Sequence, residues 1–285
     1  MRAFQTLRTR NNPAFQLADF EIFTMILSAL EWKKYNGEIF LYTDSTGKKI
    51  LDDAGITEIW DGVYTSLDVM DNFGIDENIF WAGAKIFALA YNPVPCVSID
   101  LDFILWQPMN FDRFGDNIAV IHRESTNLPC YPDADFFHFT EDFSLPLNLN
   151  WALEPCNAAF VYFGSKNFVD AYHDFAFEFM NAAAPTENQK GWDLLPYMVF
   201  IEQRWLSMCA ENCGVKIYAL SDLNKLFDAK QNFFTHIWGY KRVLRENPAD
   251  AEKFCRDCAG RISNDFPTLA KKFSRLDRFK NFFSH

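Results

Sequence analysis

Short apolar runs alternate with longer stretches whose apolar positions recur at helical spacing. Residues 3–8 read as a strand, and 17–35 as an amphipathic helix with Phe20, Phe23, Leu27 and Leu30 on one stripe. Residues 38–43 form an apolar strand ending at Asp44, and Ser45-Thr46-Gly47 turns the chain into a helix over 48–54. A strand over 58–63 follows. Then come a helix over 78–91, stopped by Asn92-Pro93, and a strand over 94–99. This order predicts a mostly parallel sheet covered by helices on both faces.

The second half reads as mixed: strands over 117–122, 158–163 and 215–220, helices over 165–180 and 194–211. Residues 130–151, rich in Pro, Asp, Asn and Phe, form a long loop of the kind that shapes substrate pockets. No repeat, low-complexity tract or clear linker interrupts the chain. The expected organisation is one α/β domain over 1–245 and a helical tail over 246–285. In that tail, Lys271, Lys272, Arg275, Arg278 and Lys280 alternate with Phe273, Leu276, Phe279 and Phe283. Such a helix over 269–283 either lies on an anionic membrane surface or packs its Phe stripe on the domain, and the second reading is favoured.

At 285 residues and 49% hydrophobic composition, the chain can bury a large core. No apolar stretch is long enough to span a bilayer. The opening Met1–Thr6 lacks the pattern of a signal peptide, so a cytoplasmic location is expected, with membrane-surface contact only through the tail. A net charge of −11 argues against nucleic acid as a partner. The odd count of 7 cysteines fits reduced thiols. Cys209 with Cys213 and Cys255 with Cys258 have weak zinc-like spacing, but both pairs fall in helical sequence and read better as small buried side chains.

Candidate chemistry centres on Ile99-Asp100-Leu101-Asp102. Side chains at i and i+2 of an extended segment point the same way, so the two carboxylates can face one point. Adjacent carboxylates repel unless a divalent cation intervenes, and their hard oxygens suit Mn²⁺ or Mg²⁺ with substrate phosphates. Far downstream, His236-Ile237-Trp238-Gly239-Tyr240-Lys241-Arg242 joins a metal-competent imidazole, a flexible glycine and two cations able to hold diphosphate oxygens.

At these residues the chain resembles glycosyltransferases of the GT-A fold, particularly the retaining, galactosyltransferase-like enzymes of glycosyltransferase families 8 and 32. The likeness rests on Asp100-Leu101-Asp102 preceded by the helix with Lys85, on Asn157-Ala158-Ala159, and on His236-x-x-Gly239-x-Lys241. It implies an α/β, Rossmann-like mixed sheet, with about 1–110 binding nucleotide-sugar and 111–245 the acceptor. It further implies Asp100, Asp102 and His236 as Mn²⁺ (or Mg²⁺) ligands, with Asp102 also near the donor ribose or sugar. Gly239 and Lys241 would bind diphosphate, Lys85 would steady the aspartates and donor, Tyr42, Thr43 and Asp44 would meet the nucleoside, and Asn157 would line the site. Arg242 stands at the family's usual lysine spacing, one residue beyond Lys241, so either cation could hold the phosphate. Ala159 stands where glycine is usual.

Glu202-Gln203 resembles the acidic-Gln pair near the reacting carbon of such enzymes. Gln203 would face the oxocarbenium, and Glu202 or Asp193 would bind acceptor hydroxyls. A polar, solvent-facing helical turn is the competing reading, and the stereochemistry stays open. Trp151, Trp192 and Trp238 are candidates to stack on sugars, although core packing is the commoner role. The expected function is metal-dependent transfer of a sugar, most simply from a UDP-sugar, to a hydroxyl on a glycan or lipid-linked acceptor, as in surface polysaccharide synthesis. The alternatives are a sugar-phosphate nucleotidyltransferase, for which Arg8-Thr9-Arg10-Asn11-Asn12-Pro13 lacks the Gly-rich phosphate loop, and a non-catalytic carbohydrate-binding protein.

Overall fold

The computed structural model describes residues 1–223 and 232–283. Residues 224–231 of the expected 1–245 domain, and 284–285 of the expected tail, lie outside the described residues. The elements run β1 (Ala3–Leu7), α1 (Asp19–Tyr35), β2 (Ile39–Thr43), α2 (Ser45–Asp53), β3 (Gly62–Tyr64), α3 (Gly83–Leu89), β4 (Cys96–Ile99) and β5 (Phe103–Leu105). They continue with β6 (Ile118–Val120), β7 (Phe160–Phe163), α4 (Lys166–Ala182), α5 (Leu195–Val199), α6 (Trp205–Asn212), β8 (Ile217–Ala219), β9 (Phe234–His236), α7 (Tyr240–Glu246), α8 (Pro248–Asp265) and α9 (Pro267–Phe273). The fold is mixed α/β and divides into two compact units, one of residues 2–68, 99–109 and 232–285, the other of Met1, 69–98 and 110–231.

In the first unit the strands run in the order β3-β2-β1 and pair in parallel, Ala3 beside Ile39 and Phe40 beside Gly62. Every residue of β2 is buried, as a parallel strand covered on both faces requires. The turn from β2 into α2 is fixed by Asp44, whose carboxylate accepts the Gly47 N–H at 2.7 Å and caps the helix. Glycine is required at Gly47, because a Cβ there would stand 2.1 Å from Thr43 Oγ1.

Helix α1 departs from the expected amphipathic pattern. It is buried all round, from Ile22 through Trp32, because β5 and α8 also pack against it. The end of the chain departs too: the helix expected over 269–283 stops at Phe273, and turns follow. Its aromatic residues nevertheless pack inward. Phe273 and Phe279 are fully buried, and Phe279 meets the Phe23 ring edge-on at 5.5 Å. Arg278 fastens the turn by pairing with Asp19 at 2.7 Å.

Inside this packing lies Glu31, fully buried, with Lys34 Nζ 3.8 Å from its carboxylate. Burial pushes its carboxyl up to about 7; Asp265 adds to the rise, while Lys34 and Arg261 oppose it. The fold therefore favours protonated Glu31, a contribution fully present below the unfolded value near 4.5 and lost as pH climbs through about 7. Between pH 5.5 and 8.5 the wild type should lose about 2 kcal/mol of stability that Glu31→Gln retains, measured by urea denaturation at both pH values.

In the second unit the strand order is β4-β7-β6-β8. β6 pairs antiparallel to β7 and parallel to β8. Helix α4 is capped by Ser165, whose hydroxyl accepts the Phe168 N–H. The helix expected over 194–211 contains an insertion. Between α5 and α6, Phe200–Arg204 winds as a π-helix, a form that appears mostly as a single turn and frequently at functional sites. The helix expected over 78–91 contracts to α3, and the strand expected over 58–63 becomes a short helical turn over Thr57–Ile59 followed by β3.

Candidate metal and diphosphate site

Strand β4 delivers the two aspartates, but not on extended chain as expected. Asp100 and Asp102 lie in a tight turn between β4 and β5, closed by the Phe103 N–H donating to Asp100 O at 3.1 Å. Both ends of that turn are held from behind. The Gln5 side chain of β1 donates to Asp100 O at 3.3 Å, and Ser28 of α1 donates to Phe103 O. Gln5 also donates to Ser28 Oγ and accepts from Trp60 Nε1, each at 2.8 Å. This buried chain of hydrogen bonds sets the turn on a rigid base.

The imidazole arrives through a two-stranded ribbon. β5 pairs antiparallel with β9, placing His236 opposite Phe103, while Phe103 and Phe234 stack at 5.0 Å. The Ile237 N–H donates to Asp102 O at 3.3 Å, and Lys241 N–H to Ile237 O at 3.0 Å, so α7 starts beside the aspartates.

Ligand atoms of Asp100, Asp102 and His236 all lie within 4.8 Å of one another, the one such grouping among the described residues. His236 Nε2 is 3.7 Å from Asp102 Oδ2, and Lys241 Nζ is 2.8 Å from the same oxygen. That ion pair is close but poorly directed, and Oδ2 is left buried without an aligned hydrogen bond. Burial raises the Asp102 carboxyl, but the charges of His236 and Lys241 outweigh it and hold the group below the usual carboxylate range. An ionised oxygen without an aligned donor, a second carboxylate and an imidazole form a donor set that could hold a metal ion.

The other sequence candidates separate. Arg242, the alternative to Lys241, has an 84% exposed side chain and lies 4.0 Å from Glu246, so Lys241 is the cation at the aspartates. Gly239 is exposed, and a Cβ there would meet nothing within 4 Å. Tyr42 and Thr43 are buried, and Thr43 donates to Leu7 O. Asp44 is fully buried and accepts from Thr9 N–H, Thr9 Oγ1, Gly47 N–H and Arg8, so its carboxylate is committed within the fold. Thr43 and Asp44 thus have their polar atoms engaged at the β1–α2 junction.

In the second unit, Lys85 pairs with buried Glu202 at 2.6 Å and donates to Ala158 O at 3.1 Å. Asn157 donates to Glu124, and its Oδ1 accepts the Ala159 N–H. Gln203 accepts from the Tyr131 hydroxyl. Asp193 is exposed on the short helical turn Gly191–Leu194 beside Trp192, itself 85% exposed. Trp238 is 76% exposed, whereas Trp151 stacks on Phe200 at 5.6 Å and belongs to the packing. The cysteines enter no metal-holding group among the described residues. Burial pushes Cys255 up to about 12 and Cys258 higher still, which keeps both thiols protonated.

Gln5, Ser28, Trp60 and Tyr131 are the residues about these sites that sequence reasoning passed over. A polar residue inside an apolar strand, as Gln5 is in β1, was the available signal.

A family model described as a family of unknown function, DUF6734, matches residues 4–275. The chain belongs to DUF6734. No curated protein matches it. Among solved structures, the DUF6734 chain is similar to the PaToxG glycosyltransferase, with TM-score 0.42 and 11% identity over 99% of this chain and 85% of that one. It is also similar to mouse xyloside xylosyltransferase 1 in its apo form, with TM-score 0.38 and 10% identity over 77% of this chain and 84% of that one. Across the described residues, no helix of the DUF6734 chain is long and apolar enough to cross a membrane.

Proposed function

We propose that this DUF6734 protein is a metal-dependent glycosyltransferase that moves a sugar from a nucleoside-diphosphate donor, most simply a UDP-sugar, to a hydroxyl of a glycan or lipid-linked acceptor. The observation that carries the reading is the grouping of Asp100, Asp102 and His236 with Lys241 beside them. In this reading the two aspartates and His236 hold Mn²⁺ or Mg²⁺. The bound ion would supply Lewis-acid stabilisation of charge on the departing diphosphate. Lys241, whose ammonium lies at Asp102, would neutralise the same developing charge, the kind of term that dominates catalysis of such reactions.

Gln203, Glu202 and Asp193 are assigned to the sugar and acceptor side of the reaction, with Lys85 holding Glu202 in place. Residues 1–110 would then serve chiefly the donor and 111–245 the acceptor. A retaining outcome and a role at the cytoplasmic membrane surface complete the proposal.

The test is release of nucleoside diphosphate from a panel of nucleotide sugars, with and without Mn²⁺. Metal-dependent release from one donor supports the transferase. Pyrophosphate release from a nucleoside triphosphate and a sugar phosphate would replace it with a nucleotidyltransferase, and no turnover with sugar binding would leave a binding protein. On the active donor, Lys241→Met should lower kcat by about a hundredfold, while Arg242→Met stays within about threefold of wild type.

A further inference from the structure

The π-helix Phe200–Arg204 breaks the regular ladder of its helix and turns its polar groups to other segments. The Glu202 carbonyl accepts from the buried Tyr172 hydroxyl at 3.2 Å, and the Gln203 carbonyl accepts the Cys156 N–H at 3.0 Å. Arg204, 2% exposed, reaches the loop over residues 123–157 and donates to the carbonyls of Tyr131 at 2.7 Å, Pro132 at 3.1 Å and Trp151. Its guanidinium lies 4.8 Å above the Trp151 ring. One helical turn thereby pins both arms of the long loop and fixes the backbone of Tyr131.

Held there, the Tyr131 hydroxyl donates to Gln203 Oε1. Burial, with Glu124 next in effect, pushes the Tyr131 phenol far above its ordinary value, so it remains a donor at every working pH. With its hydroxyl donating, the phenol has the carbonyl end of the carboxamide, Gln203 Oε1, as its partner. The amide end, Nε2, then points away and donates to no protein group among the described residues.

We infer that Tyr131 is a positioning residue that fixes Gln203 as a hydrogen-bond donor, so that Gln203 offers its N–H groups to a hydroxyl or ring oxygen of a bound sugar. This inference rests on the transferase reading for the identity of that ligand, but the orientation itself does not. It makes more specific the expectation that Gln203 faces the oxocarbenium, by assigning its N–H groups to the sugar.

Two measurements on full-length protein separate these layers. In glutamine-¹⁵N-labelled protein the Gln203 side-chain amide signals are identified by their loss in Gln203→Glu. They should shift or broaden in Tyr131→Phe, while the melting midpoint falls by only a few degrees, the order expected for one lost hydrogen bond. An unchanged Gln203 spectrum in Tyr131→Phe overturns the orientation. With the donor found active above, Tyr131→Phe should lower kcat/KM about tenfold in the wild-type background and less than about twofold in the Gln203→Glu background. An equal loss in both backgrounds overturns the positioning role. If no nucleotide sugar turns over in wild type, the transferase reading fails, and the amide spectrum alone decides the orientation.

Discussion

Replacing Asp102 by asparagine should lower turnover of the donor by about a hundred- to a thousandfold while leaving the chain folded. The argument is electrostatic. Asp102 Oδ2 is the point on which His236, at 3.7 Å, and Lys241, at 2.8 Å, converge, and it lacks an aligned hydrogen bond. An amide there is neutral and cannot replace the charge that a divalent cation needs. The backbone of the turn is held independently, by Gln5 at Asp100 O, Ser28 at Phe103 O and Ile237 N–H at Asp102 O. Asparagine occupies nearly the same space, so circular dichroism and the melting midpoint should stay near wild type. The loss should appear in kcat and in metal dependence.

Replacing Lys85 by methionine is expected to be the most destabilising of these changes, by about 3 kcal/mol or more, because it strands a buried carboxylate. Glu202 is 8% exposed on the π-helix and has Lys85 at 2.6 Å as its ion-pair partner. Ser98 Oγ, without a hydrogen-bond partner, lines the same small cavity as Lys85 and Glu202. The double variant Lys85→Met with Glu202→Leu should recover most of that stability, since removing both charges also removes the cost of burying one alone. Urea denaturation of the single and double variants checks this. Activity should not recover with stability, because Glu202 stays absent beside Gln203.

Much of the architecture was legible because its signals are local. The strands β1, β2 and β4 and the cap of α4 at Ser165 follow from an apolar run or a capping residue close by in sequence, while α2 begins at Ser45, three residues before the expected 48. The candidate ligands Asp100, Asp102 and His236 were also legible, each carried by a short motif. What brings them together was not. The β5–β9 ribbon pairs residues 103–105 with 234–236, and three-residue strands leave too little periodicity to read. Which of Lys241 and Arg242 lies at Asp102 depends on the direction each side chain takes from α7, which spacing alone left open. Asp44 misled for a different reason. A carboxylate at a strand end looks available, yet capping α2 and receiving Thr9 and Arg8 consume it. The all-round burial of α1 was hidden because polar Thr24, Ser28 and Glu31 imitate an exposed face while bonding or lying inside.

The central claim, that Asp100, Asp102 and His236 form a metal site serving a nucleoside diphosphate, is tested most directly by isothermal titration of Mn²⁺ and UDP into wild type and Asp102→Asn. The account predicts that Mn²⁺ binds one site in wild type, that UDP binds at least tenfold more tightly with Mn²⁺ present, and that both effects vanish in the variant. Metal and UDP binding that survive Asp102→Asn unchanged, or an absence of Mn²⁺ binding in wild type, would contradict it.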